Sequence, residues 1–413
     1  MKPAAYPKRE EVLSVKRKMI FLLAALMLFA AGITACKSSD EPGGQDIDIK
    51  QEAGSISSRR EGVYSQSIPS PGIFAASDRG IYVLNSVPEG RNGRKMLLYS
   101  DFGTDAFVYV CSRPDCAHAD ETCDACLSGA DAITYVNDHI YYAGMFARSK
   151  SDLAYSFKIM CADPDGRNHA EVIDIGASER FRQGSLGFAM FSDGVFYFDH
   201  EWLDENGTQH GQRYYYRLDG SMQAPEAVDA ALVYGNDGAA TFFWIPTDPN
   251  EYYTWDSQET ALKLVFTLDP ETSCYMAEKN AYIMTDNKIY RKDYDTGEET
   301  LLFDTGLSGT HRMRCFPDCI AIIDGVAFDG SEPEIEQQTL RFYSWEFEPL
   351  GEITLDYAIL QGRTSPICAE TPGKLLLSTD YRFLPQYYID KAELGTGNLT
   401  LHELKLPEAM LGE

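Results

Sequence analysis

The feature that most constrains the fold of this chain is a short phrase that returns seven times. In each copy a polar turn leads into a run of β-branched and aromatic residues, as in SDRGIYVLNS, NDHIYYAGM and SDGVFYFDH. Turn residues followed by such runs are typical of β-strands. The seven copies are centred on Ile81, Ile140, Val195, Thr241, Tyr282, Ile320 and Leu376.

A predicted hairpin with an acidic or glycine turn follows each copy. These hairpins cover residues 96–111, 157–174, 213–229, 262–272, 288–304, 340–356 and 387–404. The copies lie 38 to 59 residues apart, close to the length of a four-stranded propeller blade. We therefore expect an all-β fold, a β-propeller of seven four-stranded blades over residues 63–413. Six or eight blades stay open because the spacing is irregular, and a pair of β-sandwiches is the competing fold.

The first 35 residues have the layout of an export signal. The basic Lys16-Arg17-Lys18 precedes an apolar stretch, Met19–Ala31, that is too short to span a bilayer comfortably. Ile33-Thr34-Ala35-Cys36 then resembles the lipobox of bacterial lipoproteins. That resemblance implies that the chain is cleaved before Cys36 and that the acylated sulfur of Cys36 anchors the protein in a lipid bilayer. An uncleaved anchor helix with an incidental cysteine is the alternative.

Residues 36–62 are rich in Ser, Gly, Asp and Glu, which predicts a flexible, solvated linker between the lipidated cysteine and the folded body. The whole chain has a formal net charge of −27. Such a charge repels phosphates, so we do not expect nucleic acid as a partner. The expected location is the cell membrane or outer envelope, lipid-anchored on the extracytoplasmic face.

Two sequence phrases also resemble a known group of proteins. SDGVFYFDH (192–200) and YRKDYDTGEE (290–299) look like the repeats of bacterial PQQ-like and related β-propeller lipoproteins. The resemblance extends over roughly residues 63–405. It implies a propeller fold but no particular ligand or catalytic residue, since one fold carries many functions.

Four cysteines and one histidine lie within sixteen residues after the first predicted hairpin. Thiolates and an imidazole at such spacing are compatible with a structural Cys₃His zinc site, with the last cysteine as a competing ligand. Disulfides are an equally open interpretation because the chain is predicted to be exported, and free thiols are the third. A second close pair of cysteines could form one disulfide. The residues are Cys111, Cys116, His118, Cys123 and Cys126, and in the second pair Cys315 and Cys319.

A segment rich in aromatic residues and carboxylates is a candidate ligand-binding surface. Aromatic rings beside carboxylates suit a sugar or a peptide, although the same residues could serve only to pack a blade. The candidate residues are Trp244, Tyr252, Tyr253 and Trp255.

The sequence contains no recognisable catalytic motif: no Gly-x-Ser-x-Gly, His-Glu-x-x-His, Walker loop or Gly-x-Gly-x-x-Gly. The sequence therefore favours a non-enzymatic module that binds a glycan, a peptide or an envelope protein. An extracellular polymer-degrading hydrolase or lyase, and an envelope assembly scaffold, are the alternative hypotheses.

The predicted lipid anchor has a direct test. Because Cys36 supplies the acylated sulfur, we expect Cys36→Ala to abolish both acylation and cleavage of residues 1–35. Intact mass spectrometry of the chain purified from membranes measures both. A wild-type chain that retains residues 1–35 and carries no acyl group would contradict the prediction.

Overall fold

The computed structural model describes residues 72–87, 94–149, 152–181, 185–192, 194–204, 207–228, 232–236, 241–245, 250–255, 263–268, 272–277, 280–294, 296–309, 311–324, 337–356, 366–378 and 384–411. The export signal, Cys36 and the linker lie outside these residues. In the described part of the chain, 28 strands form seven sheets of four strands each.

The strands of sheets 1 to 4 follow one another along the chain. Sheet 1 contains β1 (Phe74–Ala76), β2 (Gly80–Ser86), β3 (Lys95–Asp101) and β4 (Val108–Tyr109). Sheet 2 contains β5 (Ala130–Val136), β6 (His139–Ser149), β7 (Asp152–Ala162) and β8 (Ala170–Asp174). Sheet 3 contains β9 (Ser185–Ser192), β10 (Val195–Leu203), β11 (Gln209–Arg217) and β12 (Glu226–Val228). Sheet 4 contains β13 (Leu232–Asn236), β14 (Thr241–Ile245), β15 (Asn250–Trp255) and β16 (Lys263–Leu268).

Sheets 5 to 7 continue the same order. Sheet 5 contains β17 (Ser273–Ala277), β18 (Asn280–Thr285), β19 (Lys288–Asp293) and β20 (Glu299–Asp304). Sheet 6 contains β21 (His311–Cys315), β22 (Ile320–Asp324), β23 (Gln337–Tyr343) and β24 (Pro349–Asp356). Sheet 7 contains β25 (Ile367–Glu370), β26 (Lys374–Leu377), β27 (Tyr387–Asp390) and β28 (His402–Glu403).

Helical structure in the described residues is short. Single 3₁₀ turns cover Ile175–Ala177, Glu179–Phe181 and Lys391–Glu393, and one α-helical turn, α1, covers Glu408–Leu411. Among the residues that the structure describes, none belongs to a helix with the length and apolar character needed to cross a membrane.

Every sheet is an antiparallel meander of four consecutive strands, which confirms the predicted all-β class. All seven copies of the sequence phrase fall on the second strand of a sheet. Six of the seven predicted hairpins contain the third and fourth strands. The hairpin predicted over residues 262–272 is wrong, because that segment contains only β16 and its partner is β15, in the aromatic segment.

The second strands are recognisable in the sequence because both of their faces are buried. On β2, Ile81 and Val83 pack into a cluster with sheet 7, whereas Tyr82 and Leu84 pack into a cluster with sheet 2. Successive side chains of a strand point to opposite faces, so a strand between two neighbours must be apolar at nearly every position. Each fully buried aliphatic or aromatic side chain stabilises the fold by about 1.5–3 kcal/mol.

In the described residues, five of the six pairs of consecutive sheets share a hydrophobic cluster, and so do the last sheet and the first. Within the described residues, clusters join sheets 1 and 2, 2 and 3, 4 and 5, 5 and 6, and 6 and 7. A further cluster joins sheet 7 to sheet 1. The last sheet of the described chain is therefore packed against the first.

Backbone hydrogen bonds reinforce the contact between sheets 7 and 1. The amide of Phe107 donates to the carbonyl of Lys405 at 2.9 Å, and the amide of Lys405 donates to the carbonyl of Asp105 at 2.8 Å. The ammonium of Lys374 in sheet 7 also contacts the Asp105 carboxylate at 2.7 Å. Apolar and polar contacts thus hold the two ends of the domain together.

A buried carboxylate lies at the contact of sheets 6 and 7. Glu370 ends β25 and is 3% exposed. Its Oε1 contacts the ammonium of Lys391, which also reaches Asp318 at 3.0 Å. Its Oε2 has no hydrogen-bond partner within the described residues. Burial raises the pKa of Glu370 from 4.5 to about 7, against the opposing effect of Lys391.

The raised pKa predicts how stability changes with pH. Because the folded chain holds the proton more tightly than the unfolded chain, the contribution of Glu370 is complete below pH 4.5 and is lost as the pH rises through about 7. We expect Glu370→Gln to raise the free energy of unfolding at pH 8 by roughly 1–3 kcal/mol, with little effect at pH 4.

Urea unfolding at both pH values measures the difference. The exposed Glu346→Gln is the matched control, since it removes one carboxylate without changing a buried pair. A Glu370→Gln chain that is less stable than wild type at pH 8 would contradict the interpretation.

Candidate functional site

The cysteine-rich segment is an excursion from the outer edge of sheet 1. The amide of Val110 donates to the carbonyl of Leu97 on β3 at 3.0 Å, where the segment begins. It returns to the same strand, where the amide of Leu97 donates to Ala125 at 2.8 Å and the amide of Leu127 donates to Lys95 at 2.9 Å. The segment lies in the connection after sheet 1, as the sequence predicted.

Four of the five predicted residues in this segment come together. The thiol sulfurs of Cys111, Cys116 and Cys123 and a ring nitrogen of His118 all lie within 4.8 Å of one another. His118 Nδ1 is 3.2 Å from Cys123 Sγ. Tetrahedral zinc with Zn–S bonds of about 2.3 Å places its ligand atoms about 3.5–3.8 Å apart. The four donors are therefore close to the arrangement that one metal ion requires.

Tight turns within the segment bring these donors together. The amide of Cys116 donates to Arg113 at 3.3 Å, and the amide of Cys123 donates to Asp120 at 3.2 Å. Asp120 Oδ1 also accepts from the amide of Thr122 at 2.9 Å. His118 has a φ of 51°, the left-handed conformation that reverses the chain in a tight turn.

Cys126 is the predicted residue that does not join the group. Its position forms an isolated β-bridge with Met96, and its sulfur lies 3.2 Å from the hydroxyl of Ser128. The pairing with β3 therefore holds Cys126 at the sheet edge. Among the described residues, the four donors above form the group suited to a metal.

One arginine and one aspartate surround the four donors. Arg113 Nη2 lies 3.4 Å from Cys116 Sγ and also donates to the carbonyl of Thr122. Asp124 Oδ2 accepts from the amide and hydroxyl of Ser112 at 3.3 and 2.8 Å. The arginine therefore puts a positive charge beside one sulfur of the group.

The pKa values of the donors are shifted in different directions. Burial raises the pKa of Cys123 to about 12. For Cys111, burial acts upward, but hydrogen bonds from the backbone and from neighbouring thiols lower its pKa overall. Burial and the charge of Arg113 lower the pKa of His118, which keeps the imidazole neutral and able to act as a ligand.

Cys315 and Cys319 lie at the two ends of the turn between β21 and β22. Both are buried and both carry free thiols. The amide of Phe316 donates to the carbonyl of Cys319 at 2.8 Å and closes the turn. Burial raises the pKa of each thiol well above its ordinary value. The sequence leaves open one disulfide or none between them, and the iodoacetamide labelling described below distinguishes the two.

The aromatic segment supplies strands of sheet 4. Trp244 on β14 pairs with Tyr252 on β15, and Trp255 pairs with Thr241. The ring of Tyr252 is 4% exposed and stacks on Phe266 at 5.0 Å, in the cluster between sheets 4 and 5. Tyr253 donates its hydroxyl to Glu251 at 2.8 Å. The ring of Tyr252 is therefore a packing element that faces no solvent.

A different surface with exposed aromatic and apolar side chains lies on two long hairpins that the sequence analysis did not single out. Strands β6 and β7 have eleven residues each, and β10 and β11 have nine, against four in β26 and β27. At about 3.3 Å per residue, five extra residues extend a strand by about 16 Å. The sequence feature that could have indicated these long hairpins is the length of their strand-forming runs.

The two long hairpins face each other. Phe157 on β7 packs against Phe196 and Phe198 on β10, with ring centroids 5.9 and 5.8 Å apart. Because side chains alternate along a strand, Tyr155 shares the face of Phe157 and Trp202 shares the face of Phe198. Beyond the buried aromatic residues, these facing sides continue into more exposed positions.

We call these facing sides the hairpin cleft and define it by Met145, Tyr155, Trp202 and His210. Tyr155 is 60% exposed and Met145 is 40% exposed. The rings of Trp202 and His210 are stacked 5.5 Å apart, and His210 Nε2 lies 3.1 Å from Asp204. Beneath them, His200 stacks on Trp202 at 5.0 Å and is buried.

An ion pair fixes the opposite face of the second hairpin. Arg213 on β11 donates two hydrogen bonds of 2.7 Å to the carboxylate of Asp199, its cross-strand partner on β10. The Arg213 side chain is 3% exposed. A bidentate, largely buried pair of this kind restricts the register of the two strands, which holds Trp202 and His210 opposite one another.

One histidine has partners that superficially resemble a catalytic triad. His402 Nε2 lies 2.7 Å from Glu393 and 2.9 Å from the hydroxyl of Thr400. In a catalytic triad the two ring nitrogens face different partners, so that a proton can pass from the hydroxyl to the ring. Here one nitrogen faces both groups. The arrangement joins the 3₁₀ turn after β27 to β28 and offers no path for nucleophile activation.

No protein-family model matches the chain, and no curated protein sequence matches it. Three similar solved structures are TolB from Acinetobacter baumannii, a prolyl endopeptidase, and the uncharacterized protein lmo1340 from Listeria monocytogenes EGD-e. Their identities are 14, 10 and 11%, and their TM-scores are 0.32, 0.45 and 0.41. The matches cover 68, 83 and 65% of this chain and 64, 50 and 82% of those chains. The chain thus spans less than two thirds of the TolB and endopeptidase chains. Similarities at this level assign no activity.

The cysteines outside the metal-suited group provide a test of the burial described above. We expect Cys161, Cys274, Cys315, Cys319 and Cys368 to resist iodoacetamide in the folded chain, because they are buried and a buried thiol rarely ionises. After unfolding without a reductant, all five should react. Mass spectrometry of tryptic peptides counts the labels, and failure of Cys315 and Cys319 to react after unfolding would instead indicate a disulfide.

Proposed function

We propose that this chain is a lipid-anchored, extracytoplasmic binding module of the cell envelope. In this proposal the seven sheets are the blades of a seven-bladed β-propeller. The support is the packing of consecutive sheets and of sheet 7 against sheet 1. The export-signal layout and Cys36 support the location and the anchor.

The observation that carries the binding function is the hairpin cleft. Its walls are a methionine, a tyrosine, a tryptophan and a histidine, of which Tyr155 is the most exposed. Tyrosine, tryptophan and methionine are enriched in the cores of protein–protein interfaces. One hairpin presents a surface tyrosine and methionine, and the next presents an aromatic pair opposite them. These side chains are therefore suited to contact a peptide segment from both sides.

The proposed ligand is a peptide segment of another envelope protein. An extended segment can place apolar side chains between two hairpins while its backbone keeps contact with water. The chain has 63 acidic and 36 basic residues, so a segment flanked by lysine or arginine would be attracted to it. A peptide is favoured over a glycan because Met145 and Tyr155 present an exposed apolar surface.

The rest of the propeller has a supporting role in this proposal. Packing of Phe157 against Phe196 and Phe198 fixes the two hairpins at their base. The Asp199–Arg213 pair fixes the strand register. A surface held in place before binding loses less conformational freedom when the ligand arrives.

Panning a random peptide library on phage against the full-length chain in detergent micelles tests this function. We expect the selected peptides to lose at least about tenfold in affinity with Tyr155→Ala and with Trp202→Ala, since central aromatic residues dominate interface energies. Fluorescence anisotropy with one selected peptide measures the change.

Leu301→Ser is the matched control, because Leu301 is 51% exposed on sheet 5, away from the two hairpins. Its affinity should equal that of the wild-type chain. Failure to select any peptide, or equal affinities for all three variants, would contradict a peptide-binding role for the hairpin cleft.

A further inference from the structure

We propose that Cys111, Cys116, His118 and Cys123 bind one zinc ion. The ion would link the beginning of the cysteine-rich segment, at residue 111, to residue 123 at the edge of sheet 1. The four donor atoms lie within 4.8 Å of one another. Three thiolates and one imidazole complete a tetrahedral site, so no position is left for water or substrate. The site is therefore structural, and it is independent of the peptide-binding role proposed above.

The donor types select zinc over the common alkaline-earth ions. Sulfur and imidazole nitrogen suit zinc, whereas magnesium and calcium take oxygen ligands. A neighbouring carboxylate, Asp124, accepts a hydrogen bond of 2.8 Å from the hydroxyl of Ser112 and a weaker one of 3.8 Å from the thiol of Cys111. It is thus placed to orient the segment around the donors.

The positive charge of Arg113 would offset the net charge of a zinc ion bound by three thiolates. Three thiolates and a divalent ion carry a net charge of minus one, which is costly in a partly buried position unless a positive group is near. Arg113 supplies that group, with Nη2 3.4 Å from Cys116 Sγ. Its Nε also lies 3.8 Å from Asp124. Hydrogen bonds to ligating sulfurs and nitrogens are the usual means of orienting a metal ligand.

The histidine ring is held in a fixed orientation. His118 packs on the ring of Tyr109, the last residue of β4, with centroids 4.5 Å apart. Its Nδ1 is directed toward Cys123 at 3.2 Å. The strand end therefore positions the one nitrogen ligand, while the turns position the sulfur ligands.

The segment that holds the four ligands, together with the residues that follow it, packs against three sheets. Cys123 and Ala125 pack in the cluster between sheets 7 and 1, whereas Leu127 packs in the cluster between sheets 1 and 2. The segment between these residues and β4 has no regular secondary structure. Long irregular segments are uncommon in compact domains. Zinc would compensate for the missing hydrogen-bond ladder by linking residue 111 to residue 123.

Metal content of the full-length chain, purified in detergent without added metal, tests the site. We expect about one zinc per chain by atomic emission for wild type, and less than about a tenth of that for Cys116→Ser and for His118→Ala. Cys126→Ser is the matched control, because its sulfur lies apart from the group, and it should keep its zinc.

A second measurement on the wild-type chain does not depend on how the variants fold. Titration with a mercurial reagent should release one zinc as three thiols react, and a chelator should lower the melting temperature. Cobalt in place of zinc should give the absorption bands of a tetrahedral thiolate complex. These results would support the site.

Two outcomes would overturn the proposal. The first is a purified wild-type chain that contains no zinc, whether its thiols are all reduced or its intact mass is lower by two hydrogens for the one disulfide that Cys111, Cys116 and Cys123 can form among themselves. The second is loss of zinc in Cys126→Ser that is as complete as in Cys116→Ser, which would show a different ligand set.

Discussion

The structure depends on the burial of both faces of a four-stranded sheet against two neighbouring sheets, which the described residues show for sheets 1, 2, 5, 6 and 7. A single sheet of this kind has two apolar faces, and neither can be left in water. On β22, Ile320 and Ile322 pack toward sheet 5, whereas Ala321 and Ile323 pack toward sheet 7. A row of such sheets would expose one apolar face at each end. The contact of sheet 7 with sheet 1 covers both of these faces at once.

The sequence predicted the parts of the fold where burial is two-sided. A second strand between two neighbours is a continuous apolar run after a polar turn, and such runs at Ile81, Ile140 and Val195 were all located correctly. The sequence could not distinguish packing from binding where a strand is rich in aromatic residues. Of the candidate ligand residues Trp244, Tyr252, Tyr253 and Trp255, Tyr252 packs in the core between sheets 4 and 5. The side chains of Trp244 and Trp255 lie outside the described residues, so the rest of that interpretation stays a prediction.

The sequence also could not separate the four donors from Cys126. All five residues lie within sixteen positions, and spacing alone allows several ligand sets. Hydrogen bonds that return the chain to β3 decide between them, because they place Cys126 opposite Met96 at the sheet edge. Such long-range pairing leaves no local signal. The hairpin cleft was missed for a related reason, since its members come from two hairpins more than forty residues apart in the chain.

The contact between sheets 7 and 1, which we call the closing contact, also explains where the cysteine-rich segment lies. The bridge between Ala106 and Lys405 immediately precedes β4, and the segment leaves the sheet directly after β4. The outer strand of sheet 1 therefore has only two residues in regular pairing before the chain departs. A link between residues 111 and 123 would hold this short strand in place, so the proposed metal and the closing contact support the same edge.

Amide hydrogen exchange at the junction of sheets 7 and 1 tests the closing contact most directly. The amides of Phe107 and Lys405 are the groups to follow, since each donates across the junction. If the two ends of the domain are held together as described, these amides exchange only through global unfolding, at the rate of Ile322 in the core of sheet 6. Fast exchange of Phe107 and Lys405 in a chain where Ile322 stays protected would show that sheets 7 and 1 separate without global unfolding.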